Sequence, residues 1–146
     1  MDNNNPDNLD LDKQVCFALY SASNALIRAY RPILDALDLT YLQYMSMLVL
    51  WKKSPMNVKN ISQDLRIDSG TLTPLLKRLE HKGLILRKRS EIDERARLIS
   101  LTDEGWALKE QALAVPSAIG CKAKLSLDDA LELKRLCDRL TENLAG

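Results

Sequence analysis

A cysteine near the start of the first helical pattern is the strongest candidate for chemistry in this chain. Cys16 lies in the opening turns of a helix expected from about Asp12, where the partial positive charge of a helix N-terminus stabilises a thiolate. Lys13 precedes it by three residues, and Tyr20, at i+4, can donate a hydrogen bond to the sulfur. An unpaired cysteine on an apolar stripe is more often a small buried hydrophobe. Position 16 is therefore predicted to be either a reactive thiol or a core residue.

Two further cysteines follow near the other end of the chain. Cys121 comes after Gly120 in a segment that Pro116 and Gly120 are expected to interrupt, so its thiol is expected to be exposed. Cys137 lies on the leucine stripe of the last helix and is expected to be core.

Residues 1–10 are too polar to pack and are expected to be loose. The chain shows no signal peptide and no apolar run of membrane-spanning length, which predicts a cytoplasmic protein with no membrane contact.

Metal and cofactor sites are not expected from this sequence. It holds a single histidine, His81, its cysteines are far apart, and it has no glycine-rich phosphate loop. In a reducing compartment, three such cysteines indicate thiol chemistry or burial rather than a framework of structural disulfides. The two tryptophans, Trp51 and Trp106, are expected to be packing residues.

Residues 68–102 contain the pattern around which the remaining elements are arranged. Four leucines at 72, 75, 76 and 79 form one apolar face of a helix expected from about Gly70, with Pro74 in its first turn and Gly83 as its left-handed stop. The opposite face carries small residues, hydroxyls and cations, which suit a DNA major groove. The residues expected to contact DNA from this helix are Ser69, Thr71, Thr73, Pro74, Lys77 and Arg78.

Two short β-rich runs, 84–89 and 96–101, enclose a charged loop and predict a hairpin. Residues 77–97 hold eight Lys/Arg against four Asp/Glu, although the whole chain has a net charge of only +1. A concentrated basic segment in a near-neutral protein favours a local phosphate contact. On the hairpin, Arg87, Asp93 and Arg95 are the candidate DNA-binding residues.

The other elements are predicted to be helical. They are a first helix to about residue 37, a central helix capped by Thr40, a short helix capped by Asn57, one capped by Thr102 that ends near 114, and a last one capped by Ser126. The fold class is therefore mainly α with a small β-hairpin. The helix and hairpin are predicted to be either the recognition helix and wing of a winged helix-turn-helix or a helix packed on a hairpin in a small domain whose charges are only solvated. Both ends of the chain carry long apolar stripes that favour a homodimer.

Several motifs resemble one family of regulators. Asp93-x-Arg95 followed by Leu101-Thr102 resembles the wing signature of the MarR family of dimeric winged-helix regulators, and DSGTLTPLLKRLE resembles its OhrR branch of organic-hydroperoxide-sensing repressors. The likeness extends to CFALYSASNALIRAYRP at 16–32 and LTYLQYMSMLVLW at 39–51. It implies a single domain over 1–146, with dimerisation helices at 12–37 and 103–146, a winged helix-turn-helix at 40–102, and a pseudo-palindromic operator as partner.

The resemblance also implies roles for the site residues. Cys16 would be the peroxide-reactive cysteine, and Tyr30 and Tyr41 would be sensor-pocket tyrosines beside Tyr20. Tyr30 follows Cys16 by 14 residues, or about 21 Å along one helix, so it could reach the thiol only of the partner chain. Two-cysteine members of the family place a resolving cysteine near Cys121. One-cysteine members use low-molecular-weight thiols instead, and the sequence leaves both routes open.

Three functions of different classes are compatible with these residues. The first is a repressor switched by oxidation of Cys16 with organic hydroperoxides, in which an intersubunit disulfide to Cys121 releases DNA. The second is a repressor controlled by a noncovalent small aromatic ligand, with Cys16 inert. The third is a thiol peroxidase, which is disfavoured because no catalytic base is evident and a DNA-binding helix would have no purpose. The first is the prediction adopted, and it makes the protein a regulator and not an enzyme.

Overall fold

The computed structural model describes residues 5–89 and 97–146, which form seven α-helices and a three-stranded sheet. The helices are α1 (Val15–Asp35), α2 (Tyr41–Lys52), α3 (Val58–Leu65), α4 (Ser69–His81), α5 (Asp103–Ala112), α6 (Val115–Ala123) and α7 (Leu127–Ala145). The strands are β1 (Met56–Asn57), β2 (Ile85–Arg89) and β3 (Arg97–Leu101). This mainly helical fold with a small antiparallel sheet confirms the predicted class.

Side-chain caps fix where most of these helices begin. The hydroxyl of Thr40 accepts from the backbone N–H of Gln43 while the Gln43 side chain accepts from Thr40, which closes a complete capping box at the start of α2. Asn57, Thr102 and Ser126 each accept a hydrogen bond from a backbone N–H in the first turn that follows. Each cap satisfies a donor that would otherwise have no partner in the helix.

The hairpin forms as predicted for its described part, and it gains a strand that was not predicted. β2 and β3 pair antiparallel with Arg87 opposite Ile99, and β1 adds to the other side of β3 with Met56 opposite Ile99. Gly83 ends α4 with a φ of +78°, the left-handed conformation that glycine adopts without steric cost. The chain therefore passes directly from α4 into the sheet.

The core lies between α2, the helix-turn-helix pair α3–α4 and the inner face of the sheet. Its completely enclosed side chains are Leu34, Met47, Leu50, Ile61, Leu72, Leu79 and Ile99. Trp51 is also buried and donates from its ring nitrogen to the carbonyl oxygen of Gly105 at 2.9 Å. Gly105 has no room for a side chain, because a Cβ there would lie 2.2 Å from the carbonyl oxygen of Leu84. Trp106, by contrast, is 43% exposed, so the single chain does not enclose it as it encloses Trp51.

Three local expectations differ from the structure. Residues around Pro116 and Gly120 form the regular helix α6, because Pro116 lies in its first turn, where a missing N–H costs nothing. Pro74 is the sixth residue of α4 and not part of its first turn, and the helix begins at Ser69 with Asp68 as its cap, one residue earlier than predicted. Within the segment expected to be loose, Pro6–Leu9 forms a short 3-10 turn, and Leu11–Lys13 forms another before α1, although both are exposed.

The two terminal regions leave apolar surface uncovered. In α1 only Leu34 is buried, and α7 buries no residue at all. Val15, Tyr20, Leu127 and Leu144 each expose more than 60% of their surface. Among the described residues, no helix is long and apolar enough to cross a membrane.

Candidate redox site and nucleic-acid interface

Cys16 is the second residue of α1 and is exposed in the single chain. Its position therefore contradicts the alternative of a residue enclosed in the core of its own protomer. Lys13 was expected to stabilise a Cys16 thiolate by its positive charge. Its ammonium instead pairs with two carboxylates, at 3.8 Å from Asp7 and 3.5 Å from Asp10. Cys16 still lies in the first turn of α1, where the partial positive charge of a helix N-terminus acts.

Three tyrosines form a cluster at the junction of α1 and α2. The Tyr30 and Tyr41 ring centroids are 4.8 Å apart, and those of Tyr30 and Tyr44 are 5.9 Å apart. Burial raises the pKa of all three phenols, and the neighbouring Tyr41 and Tyr44 raise the pKa of Tyr30 further. The phenols therefore stay protonated at neutral pH and can donate hydrogen bonds.

The structure brings together Tyr30 and Tyr41 but not Tyr20. Tyr20 is 66% exposed and lies one turn from Cys16, at the opposite end of α1 from the cluster. Tyr44 was missed from the sequence, although its place three residues after Tyr41 on α2 puts both on one helical face. Because α1 is continuous, the cluster of one chain is about 21 Å from its own thiol.

An apolar groove separates the first half of α1 from α7. It has a volume of about 470 Å³ and is lined by Val15, Ala18, Leu19, Ala22, Leu133, Leu136, Cys137 and Leu140. Cys137 is half-buried in this groove and is not part of the core cluster, which corrects its predicted core position.

Cys121 is exposed on α6, beside Lys122, whose ammonium donates to the Ala29 carbonyl of α1 at 3.3 Å. All three thiols are free.

The helix α4 buries its leucine face and exposes the face predicted to meet DNA. Leu72, Leu75, Leu76 and Leu79 are buried in the core. Of the candidate DNA-binding residues, Ser69, Thr71, Pro74, Lys77 and Arg78 are exposed and Thr73 is half-buried. The structure thus presents these residues on one accessible surface of the helix.

The threonine hydroxyls on this surface already use their protons within the helix. The Asp68 carboxylate accepts from the Thr71 backbone N–H at 2.7 Å and from the Thr71 hydroxyl at 3.0 Å. The backbone hydrogen bond from Thr71 is the main reason that the pKa of Asp68 is lowered. The Thr73 hydroxyl donates to the carbonyl oxygen of Ser69 at 2.8 Å. Both threonines can therefore offer a partner a lone pair and a methyl group while keeping these bonds.

The structure gives Arg87 an internal partner that the sequence did not indicate. Its guanidinium donates twice to one oxygen of Glu80, at 3.1 Å each, and its backbone N–H donates to the other oxygen at 3.2 Å. This arginine accordingly lowers the pKa of the Glu80 carboxyl.

Asp93 and Arg95 lie outside the described residues. Within 5–89 and 97–146, no group of three or more His, Cys, Asp or Glu is placed to hold a metal ion.

Comparison with known proteins gives consistent similarities. A family model described as "Transcriptional regulator SarA/Rot" matches residues 28–112. The organic hydroperoxide resistance transcriptional regulator of Bacillus subtilis (strain 168) is 47% identical over 138 residues, which cover 94% of each chain.

Two solved structures of AbfR, a protein of Staphylococcus epidermidis, are similar over most of their length. Reduced AbfR bound to DNA is 34% identical with a TM-score of 0.77, covering 93% of this chain and 95% of that one. Disulfide-formed AbfR is 35% identical with a TM-score of 0.62, covering 92% and 90%. The chain, with its winged helix-turn-helix, therefore belongs to the MarR/SarA family of winged-helix transcriptional regulators, as its motifs predict, and is a DNA-binding protein and not an enzyme.

Proposed function

We propose that this protein is a dimeric repressor that organic hydroperoxides release from its operator through oxidation of Cys16. The observation that carries the proposal is the exposed thiol in the first turn of α1. It occurs in a chain 47% identical to an organic hydroperoxide resistance regulator. The similarity to AbfR, solved both reduced on DNA and with a disulfide formed, supports a switch of this kind.

The chemistry is a two-electron oxidation of sulfur. The Cys16 thiolate attacks the terminal peroxide oxygen of R–O–O–H, the O–O bond breaks, and after protonation the products are the sulfenic acid and the alcohol R–OH. A second thiol then attacks the sulfenic sulfur, which forms the disulfide and releases water. Reduction of that disulfide by two electrons from cellular thiols restores the starting protein.

A second copy of the chain would complete the sensor. The groove between α1 and α7 and the exposed residues around it offer apolar surface whose burial favours association. An antiparallel arrangement of the two first helices would bring the tyrosine cluster of one chain to Cys16 of the other. Residues 12–37 and 103–146 would then form the dimerisation region, and 40–102 the DNA-binding part.

The resolving thiol in this proposal is Cys121 of the partner chain. Its exposure on α6 supports this assignment, because condensation needs access to the sulfenic sulfur. Cys137 is less accessible, because it is half-buried in the α1–α7 groove. The alternative to Cys121 is a low-molecular-weight thiol, which would attack the sulfenic acid and form a mixed disulfide. An intersubunit bond would hold the two winged parts at a fixed spacing that no longer fits the operator.

DNA binding is assigned to α4 and the wing. Two recognition helices of a dimer reach half-sites roughly 34 Å apart, one turn of DNA. Thr71 and Thr73 are proposed to meet base edges or thymine methyls, and Lys77 and Arg78 phosphates or bases, with Ser69 and Pro74 alongside. Asp93 and Arg95 keep their proposed place at the wing, with Arg95 in the minor groove.

The test combines a thiol count with a DNA-binding measurement. The reduced protein is treated with one equivalent of cumene hydroperoxide per chain, and free thiols are titrated before and after. Binding to a duplex selected by the reduced protein from random-sequence DNA is measured in parallel. The proposal expects the loss of thiol and of DNA binding to coincide, and unchanged binding after Cys16 is oxidised would overturn it.

A second candidate function is supported by a different cavity. A space of about 720 Å³ between α1, α2 and α4 is lined by both apolar side chains and the cations Arg31 and Arg78. A small aromatic acid could bind there without reacting with any thiol. This alternative expects a Cys16→Ser variant to respond to its effector as the wild type does.

A further inference from the structure

A lysine at the end of the recognition helix is bonded to the helix that carries the tyrosine cluster. Lys82 is the C-cap residue of α4, and its ammonium donates to the carbonyl oxygen of Asp38 and, at 3.1 Å, to the side-chain oxygen of Gln43. The same ammonium lies 3.7 Å from the Asp38 carboxylate. Three acceptors from the α1–α2 junction thus surround one cation of α4.

The acceptors belong to a tightly defined turn. Asp38 has a φ of 53°, a left-handed conformation that aspartate tolerates. Leu39 donates its backbone N–H to the Leu34 carbonyl at 3.2 Å, across the end of α1. Gln43 is buried, and its side-chain oxygen accepts both from the Thr40 backbone at 3.0 Å and from Lys82. The oxygen that caps α2 is therefore also the oxygen that binds the end of α4.

The tyrosine cluster lies on the same turn of α2. Tyr41 is the first residue of α2, Tyr44 is one turn on, and Gln43 is between them. Tyr41 also contacts Tyr30, with ring centroids 4.8 Å apart. Tyr41 follows Thr40 directly and precedes Gln43 by two residues, so the two residues of the capping box flank it on both sides. A backbone displacement at Tyr41 would therefore move the capping box. That movement changes the position of the acceptors around Lys82.

We infer that Lys82, with Asp38 and Gln43, forms a latch through which the tyrosine cluster sets the orientation of the recognition helix. This inference rests on the proposed function, because it assigns the step between the sensor and DNA. Lys82 is a positioning residue and not a DNA contact. The latch holds the C-terminal end of a helix of 13 residues, about 20 Å long, so a small rotation there displaces its N-terminal residues by several times as much as its last turn.

The side-chain environment of Lys82 supports this role over a phosphate contact. The Lys82 side chain is 27% exposed, against 92% for Asp38. A lysine that binds phosphate extends freely into solvent, whereas the Lys82 ammonium is held by oxygens of Asp38 and Gln43. The contribution of Lys82 to DNA binding should therefore depend on whether Cys16 is reduced or oxidised.

The experiment compares Lys82→Met and Asp38→Asn with the wild type. Methionine keeps the length of the side chain without the ammonium, and asparagine tolerates the left-handed backbone while removing only the charge. Lys109→Met, on the exposed surface of α5, removes the same charge elsewhere and serves as the control. For each protein, the Kd for the selected duplex is measured before and after cumene hydroperoxide, together with the rate of thiol loss and the thermal unfolding temperature.

The latch predicts a specific pattern of results. Lys82→Met should weaken DNA binding by the reduced protein but not by the oxidised protein. The Kd of the oxidised protein divided by the Kd of the reduced protein should therefore fall roughly tenfold, which is within the usual range of couplings between sites. Asp38→Asn should lower the ratio less, and Lys109→Met should leave it unchanged. The rate of thiol loss should match the wild type in all of them, since Cys16 is not altered.

Two results would contradict the latch without contradicting the proposed function. One is an unchanged Kd ratio in both Lys82→Met and Asp38→Asn while the wild type responds to peroxide. The other is a fall of about 0.9 in the slope of log K against log salt for Lys82→Met, which would identify a phosphate contact. A wild type whose Kd does not change on oxidation would instead remove the proposed function and the latch together.

Discussion

The guanidinium of Arg87 and the carboxylate of Glu80 join the wing to the recognition helix. Glu80 is in the last turn of α4 and Arg87 is in β2, and three hydrogen bonds of 3.1 to 3.2 Å connect them. The Arg87 side chain is only 20% exposed, which is less than an extended DNA-contacting arginine would be. The pair fixes the angle between two elements that are both proposed to meet DNA.

Breaking this pair from either side should have the same consequence. Arg87→Met and Glu80→Met should each weaken operator binding to a similar extent, because each removes both of the hydrogen bonds between side chains that join the wing to α4. Neither should change the salt dependence of binding, since no phosphate contact is lost. A gel-shift titration over a range of salt measures both quantities. A slope lowered by about 0.9 in Arg87→Met alone would show that Arg87 binds a phosphate after all.

Lys77 is predicted to behave differently because it is exposed on the DNA-facing surface of α4. If it neutralises one phosphate, Lys77→Ala should reduce the slope of log K against log salt by roughly 0.9 and weaken binding to all sequences alike. Lys59→Ala, an exposed lysine of α3, is the comparison for general loss of charge. An unchanged slope would mean that Lys77 does not touch the DNA backbone.

The cap of the recognition helix should be lost in acid. Hydrogen bonds from Thr71 lower the pKa of Asp68 below that of the unfolded chain, so the ionised form stabilises the fold. That stability is fully present above the unfolded pKa and disappears as the pH falls below about 4. The thermal unfolding temperature of Asp68→Ala should therefore be lower than that of the wild type at neutral pH, and the difference should shrink in acid. A difference that stays constant with pH would contradict this account.

Much of the winged helix was predictable because its signals are local. The leucine spacing in 72–79, the stop at Gly83 and the caps at Thr40 and Thr102 each act within about four residues. β1 could not be found in this way. Its two residues have no periodicity, and they form a strand only because β3 is there to pair with.

The side-chain partners were less predictable than the elements. Glu80 and Arg87 are seven residues apart across a helix end, and Lys82 is 39 residues from Gln43, so no helical or strand spacing indicates either contact. Lys13 was expected to assist Cys16, but two aspartates before it compete for its charge. α6 was missed because Pro116 and Gly120 look like breakers, whereas a proline in the first turn is compatible with a helix.

A single series of serine variants should distinguish the roles of the three cysteines. Cys16→Ser should bind DNA and ignore organic hydroperoxide, because serine cannot form a sulfenic acid. Cys121→Ser should keep the first oxidation yet form no covalent dimer, and its release from DNA should become slower or depend on an added small thiol. Cys137→Ser should behave like the wild type apart from a modest change in stability, since its half-buried sulfur packs in the α1–α7 groove.

Non-reducing electrophoresis of the peroxide-treated proteins distinguishes these outcomes. The wild type and Cys137→Ser should each give a dimer band that reductant removes, and the other two variants should give none. A dimer band that persists in Cys121→Ser and vanishes in Cys137→Ser would mean that the groove cysteine is the resolving thiol. Normal release of DNA from peroxide-treated Cys16→Ser would instead remove the redox switch and favour the noncovalent ligand, whose cavity between α1, α2 and α4 contains no cysteine in its lining.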